Sequence, residues 1–101
     1  MRIIIILSPT NIYGTKMAYT KLRKFLISDG YERVAPEVFM RIVTGRKSAE
    51  KHFRRLNEYN PKTGTIRVLR LTEKQYANVQ YLTGGPSDQE SIIGINCHIA
   101  L

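Results

Sequence analysis

The fold is decided by one apolar stretch near the start of the chain, Ile3-Ile4-Ile5-Ile6-Leu7, which ends at Ser8-Pro9. A strand with one solvent-facing side alternates apolar and polar residues, so this unbroken β-branched run predicts a strand that is covered on both faces. The run is too short for a signal-peptide core or a membrane span. We therefore expect the central strand of a sheet and no membrane partner.

Two amphipathic helices are predicted downstream of this strand. The first covers residues 15–29 and is closed by Gly30, and its apolar face consists of Ala18, Leu22, Phe25 and Leu26. The second is capped by Ser48 and ends before a turn at 60–64, and its apolar face consists of Ala49, His52, Phe53 and Leu56.

The remaining segments have the composition of strands and turns. Strands are predicted at 31–35, 38–43 and 65–71, a tight turn or single helical turn at 72–75, and further strands at 77–83 and about 90–101. The order strand, helix, strand, strand, helix, strand predicts an α+β protein with a ferredoxin-like sandwich. The length allows one domain, 1–101, with a core over about 1–83 and a C-terminal extension strand over about 90–101.

A ferredoxin-like sandwich places both helices on one face of the sheet and leaves the other face open. A first strand that is apolar on both sides therefore needs a cover on the open face. A second copy of the chain is the simplest cover, so we expect a homodimer formed sheet to sheet.

The chain is strongly basic. Its 16 Lys and Arg residues stand against eight Asp and Glu residues, which gives a formal net charge of +8. Such an excess favours a polyanionic partner, most commonly nucleic acid. The alternative is a protein that is basic without any nucleic-acid partner, and charge alone does not separate the two.

Basic side chains on the helices and strands are the candidate nucleic-acid contacts, namely Lys16, Arg23, Lys24, Arg41, Arg46, Lys47 and Arg54. Lys and Arg on such faces can follow a phosphate backbone without reading its sequence, and the start of the second helix also suits a phosphate. The alternative is a solvated face, neutralised in the second helix by Glu50 with Arg54 and by Glu58 with Arg54 or Arg55.

The spacing of reactive residues predicts no catalytic or metal site. His52 and His98 have no Cys or Glu nearby at ligand spacing, and Ser8, Ser48 and Cys97 have no recognisable base. Cys97 is also the only cysteine, which excludes an intrachain disulfide and favours a reducing, cytoplasmic location.

Four stretches in this order carry a resemblance to a known family: MRIIIIL at 1–7, AYTKLRKFLISDGY at 18–31, PEVFMRI at 36–42 and IRVLRLTEKQY at 66–76. The chain resembles the CRISPR-associated protein 2 family, in particular its members from type II systems. The resemblance implies a ferredoxin-like dimer that bridges dimers of the CRISPR-associated integrase. Together they hold a short DNA duplex, the prospacer, for insertion into the CRISPR array, and Lys16 and Arg23 would face that duplex.

Several members of this family are described as metal-dependent nucleases of RNA or DNA. The resemblance ties that activity to an aspartate at the end of the first strand, one from each subunit, which face a divalent metal such as magnesium. In this sequence Ser8 stands at the aspartate position, and no acidic residue occurs between Met1 and Ser28. A neutral hydroxyl does not replace a carboxylate as a magnesium ligand, and without the metal no water is activated.

We therefore expect no cofactor and no metal-dependent cleavage. The third strand also has Glu37 where many family members have serine. Two alternatives stay open. One is a nuclease that uses a shifted carboxylate such as Glu37 or Asp29, and the other is a dimeric scaffold that has no affinity for DNA.

Overall fold

A computed structural model describes residues 1–10 and 15–85 of the chain. The elements in chain order are β1 (Arg2–Ser8), α1 (Thr15–Ser28), β2 (Glu32–Ala35), β3 (Val38–Ile42), α2 (Arg46–Asn57), β4 (Thr65–Leu71) and α3 (Glu73–Tyr76). The four strands form one antiparallel sheet in the order β2-β3-β1-β4. This order, with two helix crossovers, confirms the predicted α+β, ferredoxin-like fold.

The central position of β1 follows from its apolar run. Ile3, Ile5 and Leu7 are buried against the helices and belong to the main core cluster. Because side chains alternate along a strand, Ile4 and Ile6 lie on the opposite, open face of the sheet, where both are half-buried. The predicted cover is therefore complete on the helix side of β1 and partial on the open side.

The buried face of α1 differs from the predicted one. It consists of Thr15, Tyr19, Leu22 and Leu26, whereas the predicted Ala18 and Phe25 are half-buried. Tyr19 is missed because its hydroxyl looks polar in sequence. In the structure that hydroxyl donates a hydrogen bond to the carbonyl oxygen of Thr63, which satisfies the group inside the fold.

The start of α2 was predicted wrongly. The helix begins at Arg46 with Gly45 as its N-cap, and Ser48 lies inside the first turn. The amide of Ala49 donates to the carbonyl oxygen of Gly45 at 2.9 Å, so the backbone closes the first turn before Ser48 can act as a cap. The first turn of α2 consequently has no side-chain cap.

The predicted helical turn at 72–75 is confirmed as α3. Thr72 is its N-cap, and Thr72 and Gln75 form a reciprocal capping box. The strand predicted at 77–83 is absent, since the amides of Ala77, Asn78 and Val79 are used in turns that continue from α3. The predicted extension strand at about 90–101 lies outside the described residues.

A buried arginine anchors α3 to the open face of the sheet. The Arg2 side chain is only 4% exposed, its Nε lies 2.8 Å from Glu73 Oε2, and its guanidinium stacks 3.8 Å from the Tyr76 ring centre. The chain after α3 lines a cavity of about 340 Å³ together with Ile4 and Met40. Part of the open face is thus covered within one copy of the chain.

None of the helices in the described part of the chain is both long enough and apolar enough to cross a membrane.

Candidate nucleic-acid interface

Five of the seven predicted nucleic-acid contacts are exposed cations without an ion pair among the described residues. They lie on the two long helices: Lys16 and Lys24 on α1, and Arg46, Lys47 and Arg54 on α2. A cation that has no carboxylate partner keeps its full attraction for a phosphate. These five side chains are therefore available to a polyanion.

The predicted neutralisation of α2 is wrong. Glu50 and Glu58 are exposed and form no ion pair with described residues, although their spacing from Arg54 would permit one. Arg55 instead turns to the carboxylate of Asp29. Arg54 is therefore not neutralised by either glutamate of its own helix.

Arg23, the sixth predicted contact, is paired with Glu37. Its Nε and one terminal nitrogen each lie 2.8 Å from a Glu37 carboxylate oxygen, and both side chains are about one quarter to one third exposed. The hydrogen bond to Glu37 raises the pKa of the Arg23 guanidinium above its ordinary value, against an opposing effect of partial burial. The guanidinium of Arg33 lies 3.8 Å from the same carboxylate.

Arg41, the seventh predicted contact, is paired with Asp29 at the far end of α1. The Asp29 side chain is 5% exposed and is surrounded by the guanidinium of Arg41 at 3.7 Å, the Nδ1 of His52 at 3.3 Å and the guanidinium of Arg55. This cluster joins the end of α1 to β3 and α2. Of the predicted set, Arg23 and Arg41 are thus the two whose charge is already matched within the fold.

The end of β1 does not fit a divalent metal. Ser8 is exposed and paired in register with Thr65, and the amide of the preceding Leu7 donates to the backbone carbonyl of Glu37. Glu37 is a carboxylate carried close to this end of the sheet, and Arg23 already occupies both of its oxygens. A carboxylate that is ion-paired with a guanidinium offers a hard cation less uncompensated negative charge than a free carboxylate does.

Asp29, the other shifted carboxylate considered, is no substitute. It follows the last residue of the 14-residue helix α1, whose first residue hydrogen-bonds to Thr10 just after β1. At 1.5 Å per residue, Asp29 lies about 20 Å along the helix from the end of β1. Among the described residues there is also no group of three or more His, Cys, Asp or Glu side chains that could hold a metal ion.

Sequence reasoning missed three residues that shape this region: Arg2, Asp29 and Glu37 as ion-pair partners. Glu73 is 71 residues from Arg2 and Arg23 is 14 residues from Glu37. Asp29 contacts side chains from both β3 and α2. The sequence signals only one of these ion pairs, that of Arg33 with Glu37, because the two residues are four positions apart. Long-range pairing of charges has no comparable signature in one sequence.

Comparison with known proteins places the chain in one family. A family model described as "CRISPR associated protein Cas2" matches residues 12–79. A relative from Acidovorax ebreus, named "CRISPR-associated endoribonuclease Cas2", is 44% identical over 75 residues, which cover 74% of this chain and 74% of the relative.

Relatives of the same name show the same extended similarity. One from Streptococcus mutans is 38% identical over 85 residues, which cover 83% of this chain and 78% of the relative. One from Ligilactobacillus salivarius is 35% identical over 85 residues, which cover 83% and 84%. With the ferredoxin-like sheet, these matches show that the chain belongs to the Cas2 family of CRISPR-associated proteins.

Proposed function

We propose that the chain is a non-catalytic adaptor of CRISPR spacer acquisition, which holds prospacer duplex DNA by its backbone and bridges dimers of the integrase in the cytoplasm. The observation that carries this proposal is the set of exposed, unpaired cations on α1 and α2, in a chain that belongs to the Cas2 family. Lys and Arg without ordered carboxylate partners favour sequence-independent contact with phosphates.

The proposed adaptor is a homodimer formed through the open face of the sheet. On that face Leu69, 39% exposed, lies opposite Ile4, and Ile6 lies opposite Val38. Exposed apolar residues grouped on one sheet face favour burial against a partner. A two-fold pair of sheets would bury this face and would double the number of cations that one duplex can meet.

The proposed absence of nuclease activity is supported by the side chains at the end of β1. The family's aspartate position holds Ser8, and the carboxylate brought near it belongs to Glu37, which Arg23 neutralises. A second candidate function, metal-dependent cleavage of RNA or DNA, is favoured by the printed name of the relatives, which are called endoribonucleases. Cleavage that requires Mg²⁺ and is lost on substitution of one acidic residue would establish that candidate instead.

The DNA-binding proposal is tested by the affinity of the purified protein for duplex DNA of two unrelated sequences. We expect the two duplexes to bind with equal affinity. The logarithm of the binding constant should fall linearly with the logarithm of the salt concentration, with a slope of about −0.9 for each phosphate contacted. Fluorescence anisotropy of a labelled duplex measures this. A salt-independent affinity, or a strong preference for one sequence, would contradict backbone binding.

The contribution of α2 is tested by the variant Lys47→Gln/Arg54→Gln. In the proposed homodimer this variant removes two phosphate contacts from each copy, four for one duplex, which should reduce the magnitude of the salt slope by about 4. Lys74→Gln is the matched control, because Lys74 is an exposed cation on α3, away from the two long helices. If Lys74→Gln reduces the salt slope by as much for each charge removed as the double variant does, DNA binding depends on the net charge of the protein and not on the α2 face.

A further inference from the structure

Glu37 holds Arg23 in the geometry that a guanidinium uses for phosphates. Two parallel N–H donors of Arg23 meet the two carboxylate oxygens, each at 2.8 Å. Arginine binds carboxylates and phosphates with the same planar, two-pronged arrangement. Toward Arg23, therefore, the Glu37 carboxylate takes the place that a backbone phosphate would take.

Arg23 belongs to a row of polar side chains on α1, and within this row it is the residue that forms an ion pair. Lys16, Thr20 and Arg23 follow one another at helical spacings of four and three residues, which places them on one side of the helix. Lys16 and the adjacent Lys24 are exposed and have no ion pair among the described residues. A duplex backbone that follows this row meets Lys16 and then Arg23, which has Lys24 beside it.

The Arg23–Glu37 pair is open enough to exchange partners. The two side chains are 25% and 31% exposed, so a phosphate can approach the guanidinium from solvent. A pair with this exposure contributes little net stability, because water and salt screen it. Arg33 also lies 3.8 Å from the Glu37 carboxylate while its guanidinium donates to the carbonyl oxygen of Pro36, so Arg33 can stay beside Glu37 when Arg23 leaves.

We propose that Glu37 is an intramolecular competitor of DNA for Arg23, and that a bound duplex takes Arg23 over from Glu37. This inference rests on the proposed DNA-binding function and adds a regulatory residue to it. Each binding event breaks the ion pair and brings a phosphate close to the released carboxylate. Glu37 thereby lowers the affinity for DNA and keeps the complex reversible.

The test compares Glu37→Gln with Glu50→Gln in the full chain. Both variants remove one negative charge, but Glu50 is exposed and has no ion pair among the described residues, so its loss frees no arginine. We expect Glu37→Gln to bind duplex DNA about fivefold more tightly than wild type, as loss of a competing surface ion pair allows. Glu50→Gln should differ from wild type by less than about twofold.

A double-variant cycle shows whether the effect passes through Arg23. In an Arg23→Gln background, the gain from Glu37→Gln should fall to that of Glu50→Gln. A purely structural role of Glu37 predicts a different result, namely a lower thermal midpoint and weaker binding. Equal gains from Glu37→Gln and Glu50→Gln, or a gain that survives without Arg23, would overturn the proposal while DNA binding stands. Failure of the wild-type protein to bind any duplex at low salt would overturn both.

Discussion

Asp29→Asn is expected to lower the free energy of unfolding by about 2–3 kcal/mol. Asp29 is a buried carboxylate whose side chain is 5% exposed and which contacts Arg41, His52 and Arg55. The neutral amide would leave the guanidinium groups of Arg41 and Arg55 without their shared counter-charge. Removing one partner of a fully buried pair costs more, but Arg41 and Arg55 are 30% and 45% exposed and can regain water.

Denaturant unfolding of the purified protein measures this effect. Glu50→Gln is the matched control, because it removes an exposed carboxylate that has no ion pair among the described residues, and it should change stability by less than about 0.5 kcal/mol. A loss for Asp29→Asn that is no larger than the control's would mean that the cluster does not join α1 to β3 and α2.

Gly64→Ala is expected to lower the free energy of unfolding by about 3 kcal/mol, through backbone strain and a collision. Gly64 has φ of +70°, a conformation that residues with a Cβ seldom adopt. A Cβ there would lie 2.5 Å from the Tyr19 hydroxyl oxygen and 2.6 Å from the Ser8 carbonyl oxygen. Neither atom can move freely, because Ser8 ends the central strand and Tyr19 is fully buried.

Gly84→Ala separates these two causes. Gly84 also has a positive φ, of +82°, but a Cβ there meets no atom within 4 Å. Gly84→Ala should therefore lower the free energy of unfolding only through backbone strain, by about 1 kcal/mol or less. Thermal unfolding monitored by circular dichroism compares the two variants. Equal losses would show that the contact with Tyr19 and Ser8 contributes nothing.

The order of the elements could be predicted because each carries its own local pattern. The unbroken run of β1 predicts a strand covered on both faces, and the structure buries it on the helix side and half-buries it on the open side. The turn at 60–64 separates α2 from β4. Boundaries were less predictable, since backbone geometry at Gly45 starts α2 before the expected Ser48 cap. The segment at 77–83 has a strand-like composition, but its first amides are used in turns after α3.

The candidate interface could be predicted by residue type but not by electrostatic state. Positions on the helices predict which cations of α1 and α2 face outward. Whether a given arginine is free depends on carboxylates that the fold brings from far along the chain. Glu37 reaches Arg23 across 14 residues and Glu73 reaches Arg2 across 71, and no helical or strand periodicity encodes such distances.

The two departures at the end of β1 act together. Ser8 removes the negative charge that the family resemblance expects there, and Glu37 supplies a carboxylate that a guanidinium already binds. Ser8 offers a metal cation no charge, and the charge of Glu37 is matched by Arg23, so neither position provides a free carboxylate for a metal. In the adaptor role that we propose, the surplus charge of +8 would hold a nucleic acid whose chemistry another protein performs.

The most direct test of this role is to isolate the complex of the full chain with end-labelled duplex DNA at low salt in the presence of Mg²⁺, and to analyse the recovered strands. We expect a stable complex from which both strands are recovered at full length. Strands shortened only when Mg²⁺ is present, or no complex at all, would contradict the proposal that this protein holds DNA without cutting it.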